Sequence, residues 1–260
     1  MKTHHRCRLS PAQLSAGLHQ WYGTLAGQDL LDAIKGSLDR VLPGLFGYYA
    51  LQVGCVSAET DMLEYSRVKH RLYVDVVRDQ TQVMGVPEAL PLQGDSIDLV
   101  LLMHSLDFTR DPHRILREVD RVLIPEGHVV VVGFNPVSLY GLWKGFLLWQ
   151  RRVPWCGRFY SGARIRDWMS LLGLETLDVQ HVGFRPPIQR PGLSQRLEVL
   201  ERMGMVAAPY FGAVRILLAQ KRVATLTPIR PRWGPRRSIL AGNLPEPTPR
   251  QAQAPRGRAG

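Results

Sequence analysis

The 260-residue chain is poor in cysteine: Cys7, Cys55 and Cys156 are its only three. They are odd in number and widely spaced, which argues against a disulfide framework and a cysteine-rich zinc site, so no metal is expected. A reducing cytoplasm is the simplest home. Long apolar runs are also missing. The most apolar window, Leu139 to Trp149, contains Lys144 and is too short to span a bilayer. Lys2, Arg6 and Arg8 are not followed by an apolar stretch, so no secretory signal is expected. No internal repeat is visible. Acids are scarce, and the formal net charge is +11. The excess sits at the ends, since Arg222 to Gly260 carries eight arginines against one acid, Glu246. The body between the ends is close to neutral. A basic tail can meet nucleic acid or anionic lipid, so nucleic-acid contact is expected only there. Pro, Gly and Ala interleave its arginines. Residues 222–260 therefore read as a mostly disordered Pro/Arg-rich tail, and 1–10 as a disordered N-terminus.

What is present is an α/β pattern over 11–221. It centres on Asp95 to Pro136. Ile97 to Met103 is an apolar run suited to a strand buried on both faces. Asp111 is a good N-cap and Pro112 a tolerated first helical residue. Ile115, Leu116, Val119, Val122 and Leu123 recur at helical spacing, and Pro125 and Gly127 stop the helix. Val129 to Phe134 is a second buried strand. Strand, helix and strand make a right-handed βαβ unit in a parallel sheet. Ligands bind beyond the carboxyl ends of such strands. Here those ends carry His104 to Asp107 and Asn135.

The flanking elements follow the same logic. Pro11 to Leu42 has a helical apolar face, ended by Pro43-Gly44. Tyr48 to Cys55 reads as a strand entering a glycine turn, and Ser57 to Lys69 as a helix. Leu72 to Val76 and Gln82 to Val86 read as the second and third strands. The gap between them is short for a parallel crossover. Either the crossover is a loop, or one of these strands is misread. Val137 to Trp155 is apolar almost all round. It is either a lid over the sheet or a helix lying on a membrane surface. Ser161 to Leu172 is a helix, Leu174 to Val182 a strand, Leu193 to Met203 a helix and Ala213 to Lys221 a last strand.

Gly54 is the functional clue. A glycine turn after the first strand lets backbone amides approach a ligand, and an acid about 20 residues on can reach a ribose hydroxyl. Asp75 has that spacing. GVPEALPLQGDSIDLV and LREVDRVLIPEGHVVVV resemble the class I S-adenosylmethionine-dependent methyltransferases, of the methyltransferase type 11-like kind. FGYYALQVG, MHSLDF, GFNPVSLYGLW and TPIRPRW are similar to a small bacterial branch of that family. The resemblance implies a Rossmann-like methyltransferase fold. Its mostly parallel central sheet would have about seven strands, the last antiparallel. It divides 11–221 into N-terminal helices (11–47), a cofactor core (48–136) and a lid with the C-terminal half (137–221). It also implies S-adenosyl-L-methionine as cofactor. Gly54, Cys55 and Ser57 would line its methionine end, Asp75 its ribose, and Glu88, Ala89 and Leu90 its adenine rim. Cys55 reads as packing, not as a nucleophile. The family's glycine motif is degenerate here: Gln52 stands at its first acid, and Val56 and Ala58 at its next two glycines. Val86 stands at the acid after the third strand.

His104, at the end of the fourth strand, is the candidate catalytic base, since an imidazole titrates at about 6.5 in water. Asp107 would orient it or hold a substrate hydroxyl. Asn135 and Tyr140 are candidates for the substrate side, while His113 and His181 read as structural or exposed. The reading is a cytoplasmic methyltransferase with a small or lipid-like acceptor and possible membrane-surface contact through 137–155. Two rivals stay open: an inactive methyltransferase-like binding or scaffold protein, and an RNA methyltransferase that uses the basic tail.

Overall fold

The computed structural model of the chain describes residues 9–54, 61–76, 83–146, 152–185 and 209–222, all within the unit Met1–Val223. The long N-terminal helical pattern is two helices. Helix α1 (Pro11–Tyr22) opens with a capping box, in which Ser10 accepts from the Gln13 amide and Gln13 from the Ser10 amide. Gly23 ends it. Thr24 then caps α2 (Leu25–Val41) by accepting from the Gly27 amide.

One sheet of seven strands follows: β1 (Tyr49–Val53), β2 (His70–Asp75), β3 (Val83–Met84), β4 (Ile97–Met103), β5 (Leu123–Phe134), β6 (Leu174–Val182) and β7 (Val214–Lys221). Their order is β3-β2-β1-β4-β5-β7-β6. β7 alone is antiparallel to its neighbours β5 and β6; every other pair is parallel. The expected mostly parallel sheet with a reversed last strand is what forms. The chain order switches direction between β1 and β4, where doubly wound sheets open a crevice.

The apolar strands are explained by burial on both faces. In β4, Leu99, Leu101 and Met103 enter the core beneath α1 and α2, while Val100 and Leu102 enter the opposite one. This is the period of two expected of a strand. The second core is covered by α4 (Pro112–Val122) and α6 (Gly162–Ser170), through Ile115, Leu116, Val119, Ile165 and Met169. Asp111 caps α4, accepting from the Arg114 amide at 3.2 Å. Between β4 and α4 lies a single helical turn, α3 (Ser105–Phe108).

Several elements depart from the sequence reading. The helix expected over 57–69 does not form in its described part, which has only the 3-10 turn Leu63–Tyr65. Side chains take the backbone donors instead. Gln52 accepts from the Met62 amide and Asp61 from the Leu63 amide, which holds this segment out of helical geometry. The doubtful crossover is real: β2 and β3 pair in parallel, with only Val76 to Gln82 between them. β5 begins at Leu123, because Leu123 already pairs with Ile97 across a register shift. The helix read over 137–155 is α5 (Leu139–Phe146), and Val153 to Cys156 form turns. Cys156 is buried and disulfide-bonded, so the cysteines are not all free. Distance in sequence did not keep it from a partner. The helix expected over 193–203, the tail 222–260 beyond Arg222 and the terminus before Leu9 lie outside the described residues. Among the described residues no helix is long and apolar enough to cross a membrane.

Candidate functional site

The carboxyl ends of β1, β2 and β4 meet at the switch point. Gly54 follows β1 with φ 81°, a left-handed conformation that suits glycine. Its amide donates to the Val74 carbonyl at 3.0 Å, which ties the turn to β2. A Cβ there would lie 2.7 Å from Ser105 Oγ and 3.0 Å from the Met103 carbonyl oxygen. Ser105 Oγ is itself fixed, donating to the Val53 carbonyl at 2.8 Å. Asp75 ends β2 and is 5% exposed. Its Oδ1 accepts from the Val76 amide at 2.6 Å, and its Oδ2 accepts from the Ser15 hydroxyl of α1 at 2.9 Å.

His104 follows β4 directly. It has φ 54°, a strained region for a residue with a Cβ. Its amide donates to the Val132 carbonyl at 2.9 Å, which holds the backbone there. Three groups fix the ring. Asp107 Oδ2 lies 3.0 Å from Nδ1, Tyr22 Oη lies 2.5 Å from Nε2, and the Phe134 ring stacks at 4.2 Å. A carboxylate only accepts, so the neutral imidazole carries its proton on Nδ1 and accepts from the tyrosine hydroxyl at Nε2. His104, Asp107 and Tyr22 are all buried. Asp107 Oδ2 also accepts from the Phe134 amide at 3.0 Å, so two donors converge on one oxygen.

Aromatic rings enclose the histidine on the α1 side. Trp21 meets Tyr22, Phe134 and Tyr140 edge-on, and Phe159 stacks on Phe134 at 4.8 Å. Lys144 Nζ stands 3.9 Å above the Phe159 ring and donates to the Gly157 carbonyl. Across the sheet, Arg215 of β7 pairs in register with Gly133, whose added Cβ would touch both Asp107 carboxylate oxygens at 3.5 Å. Arg215 is buried and donates to the Tyr160 carbonyl at 2.9 Å. Burial pulls its guanidinium down to about 10, and the Asp107 charge opposes the fall. Asp107 thus sits between an imidazole on one face of the sheet and a cation on the other.

The structure brings Gly54, Asp75, His104 and Asp107 to one edge. Glu88 lies beside it, accepting from the Thr109 hydroxyl at 2.5 Å. The Ala89 amide donates to the Val86 carbonyl at 3.0 Å. Leu90 turns its side chain into the core and gives its amide to Glu118 Oε2 at 3.1 Å. Cys55 and Ser57 lie outside the described residues. Asn135 and Tyr140 are tied to other elements. The Asn135 amide group donates to the carbonyls of Val137, Tyr210 and Gly212, and Tyr140 donates to the Ala26 carbonyl. His113 packs on Trp168 and His181 on Tyr210, consistent with structural roles. Sequence reasoning missed Ser15, Tyr22 and Arg215. Ser15 and Tyr22 are hydroxyls on the buried face of an amphipathic helix, the one trace they leave in the sequence.

Seven strands in this order, with β7 reversed and a glycine turn after β1, define a Rossmann-like domain. Comparison with known proteins narrows the class. A family model described as "Methyltransferase domain" matches residues 36–131. The chain is 33% identical over 195 residues to Uncharacterized protein YafS of Escherichia coli (strain K12), covering 75% of this chain and 77% of that one. It is 32% identical over 163 residues to Demethylmenaquinone methyltransferase of Chlamydia muridarum, covering 57% of this chain and 66% of the relative. A solved S-adenosylmethionine-dependent methyltransferase of Thermotoga maritima, described as a possible histamine N-methyltransferase, superposes with a TM-score of 0.60 at 19% identity. That match covers 81% of this chain and 97% of the other. The chain belongs to the class I S-adenosylmethionine-dependent methyltransferase family.

Proposed function

We propose that the protein transfers a methyl group from S-adenosylmethionine to a small, apolar ring compound. The observation that carries this reading is the His104–Asp107 pair, set at the carboxyl end of β4 beside the Gly54 turn and Asp75. The described residues suit the cofactor: a left-handed glycine turn at the end of β1, and a buried carboxylate able to accept from ribose hydroxyls. Gly54, Cys55 and Ser57 are assigned to the methionine end, Asp75 to the ribose, and Glu88, Ala89 and Leu90 to the adenine rim. When bound, the cofactor supplies an electrophilic methyl and its own leaving group, so the protein's part is placement and proton handling.

His104 receives the acceptor's proton at Nε2. Asp107 holds the tautomer and stabilises the imidazolium that results. Trp21, Phe134 and Phe159 exclude water from that proton transfer. The aromatic lining and the demethylmenaquinone methyltransferases among the relatives both support a ring-bearing, lipid-like acceptor. Exposed Leu139, Leu142 and Trp143 on α5 suit contact with a membrane surface where such an acceptor resides.

A second reading, an inactive binding protein, rests on Gln52. It stands at the family's first acid, is fully buried, and accepts from the Met62 amide. Calorimetry of purified protein with S-adenosylmethionine separates the two. Micromolar binding that falls at least tenfold in Asp75→Asn supports the enzyme. No binding by the natural chain, with binding in Val56→Gly, supports the inactive protein.

A further inference from the structure

Both functional groups of the site are already capped, and by the same helix. Ser15 donates to Asp75, and Tyr22 meets His104 Nε2. The two residues are seven apart in α1, which is two turns, so they share one face about 10 Å apart along the axis. Asp75 is the group assigned to a ribose hydroxyl, and Nε2 is the atom assigned to the acceptor's proton. The helix therefore presents an aliphatic hydroxyl where a sugar hydroxyl belongs, and a phenol where the acceptor belongs. We infer that α1 is an internal plug that imitates both ligands, and that the acceptor is a hydroxyl-bearing aromatic ring. This rests on the proposed methyltransferase reading.

The surroundings agree with that assignment. Tyr22 lies in a wall of rings, with Trp21 at 4.9 Å and the His104 ring at 5.9 Å between centroids. A phenol is thus accommodated here by both ring and hydroxyl. The junction between the two helices is also short. Gly23 ends α1 and Thr24 begins α2, so two residues separate the helices. The start of α2 presses on the end of α1, since a Cβ on Gly27 would fall 2.2 Å from the Trp21 carbonyl oxygen. Rotation about Gly23 would lift Ser15 and Tyr22 from their partners together, because one helix carries both. An entering nucleoside replaces the Ser15 hydroxyl on Asp75. An entering phenol replaces Tyr22 on Nε2 and delivers its own proton to that nitrogen.

The test uses the full chain and two probes, S-adenosylhomocysteine and 4-methylphenol, the latter being the tyrosine side chain itself. Ser15→Ala should bind S-adenosylhomocysteine roughly fivefold more tightly than the natural chain, the worth of one competing hydrogen bond. Tyr22→Ala should bind 4-methylphenol at least tenfold better than toluene, and His104→Ala in the same background should abolish that preference. Tyr22→Phe keeps the ring and guards against a folding failure. It should speed amide exchange across α1 while leaving the urea midpoint within the range of a single hydrogen bond. Weaker S-adenosylhomocysteine binding in Ser15→Ala, or equal binding of toluene and 4-methylphenol, overturns the inference and leaves the methyltransferase reading standing. Failure of every variant and the natural chain to bind S-adenosylhomocysteine refutes the methyltransferase reading itself, and the Ser15 half of the inference with it.

Discussion

Gly54→Ala is the sharpest probe of the turn after β1. At φ 81°, alanine must adopt a left-handed backbone, at a cost of about 1–2 kcal/mol. Its new methyl also lies 2.7 Å from Ser105 Oγ, a contact that real Cβ atoms do not make. Ser105 must move, and moving it breaks its bond to the Val53 carbonyl, worth about 1 kcal/mol. The carbonyl of Met103 cannot retreat in the same way, because it is strand backbone. The expected loss of stability is therefore about 2–3 kcal/mol. It is read from the urea midpoint at unchanged slope. Ser105→Ala removes the clash partner and supplies a cycle. The double variant should recover about 1 kcal/mol relative to the sum of the singles. A Gly54→Ala loss below 1 kcal/mol, or strict additivity in the cycle, would refute this account of the turn.

Asn135→Asp should be strongly destabilising, because a carboxylate would face the Val137, Tyr210 and Gly212 carbonyl oxygens. A loss of at least ~3 kcal/mol is expected in urea unfolding, exceeding that of Asn135→Ala. Asp107→Asn can keep both hydrogen bonds through one oxygen while losing its charge. It should leave the fold intact, yet lower kcat about 100-fold or more in a methyl-transfer assay with a phenolic acceptor. His128 and His181 are both held below their usual 6.5, mainly by burial. The unfolded chain then binds more protons than the native one as pH falls through 6.5. Stability present above that pH is lost below it. Urea midpoints between pH 7 and 5 should drop for the natural chain and flatten in His128→Asn/His181→Asn; an unchanged slope would refute the assignment.

The centre of the sheet was legible in the sequence because β1, β4 and the second half of β5 are largely apolar and end at a clear stop. Met103 gives way to His104, and Val53 to Gly54. The same stops put Gly54 and His104 at one edge of the sheet, after β1 and β4. The helix expected over 57–69 does not form in its described part, whose apolar residues include Met62, Leu63 and Val68. The structure buries all three while Gln52 and Asp61 hold the backbone donors. A side chain reaching ten residues along the chain leaves no periodic trace. Asn135 was read for ligand chemistry because it sits at a strand end, yet its amide serves three carbonyls. Ser15, Tyr22 and Arg215 were missed for one reason: each acts across a long sequence separation. Tyr22 meets His104 and Arg215 faces Asp107 only once the sheet has assembled. A helix face shows that a residue is buried, not what it is buried against.

The two margins of the sheet carry a consequence for life at high concentration. An open sheet exposes unpaired backbone donors and acceptors along its outermost strands, and these invite pairing with another molecule. Among the described residues one margin is β3, the two residues Val83–Met84. The other is β6, which carries a register shift between Thr176 and Asp178 and exposes Glu175 and Asp178. A short margin offers too few bonds to template a neighbour, and a bent, acidic one repels a second copy of itself. The protein thus guards against strand-to-strand polymerisation by trimming one side of its sheet and by kinking and charging the other.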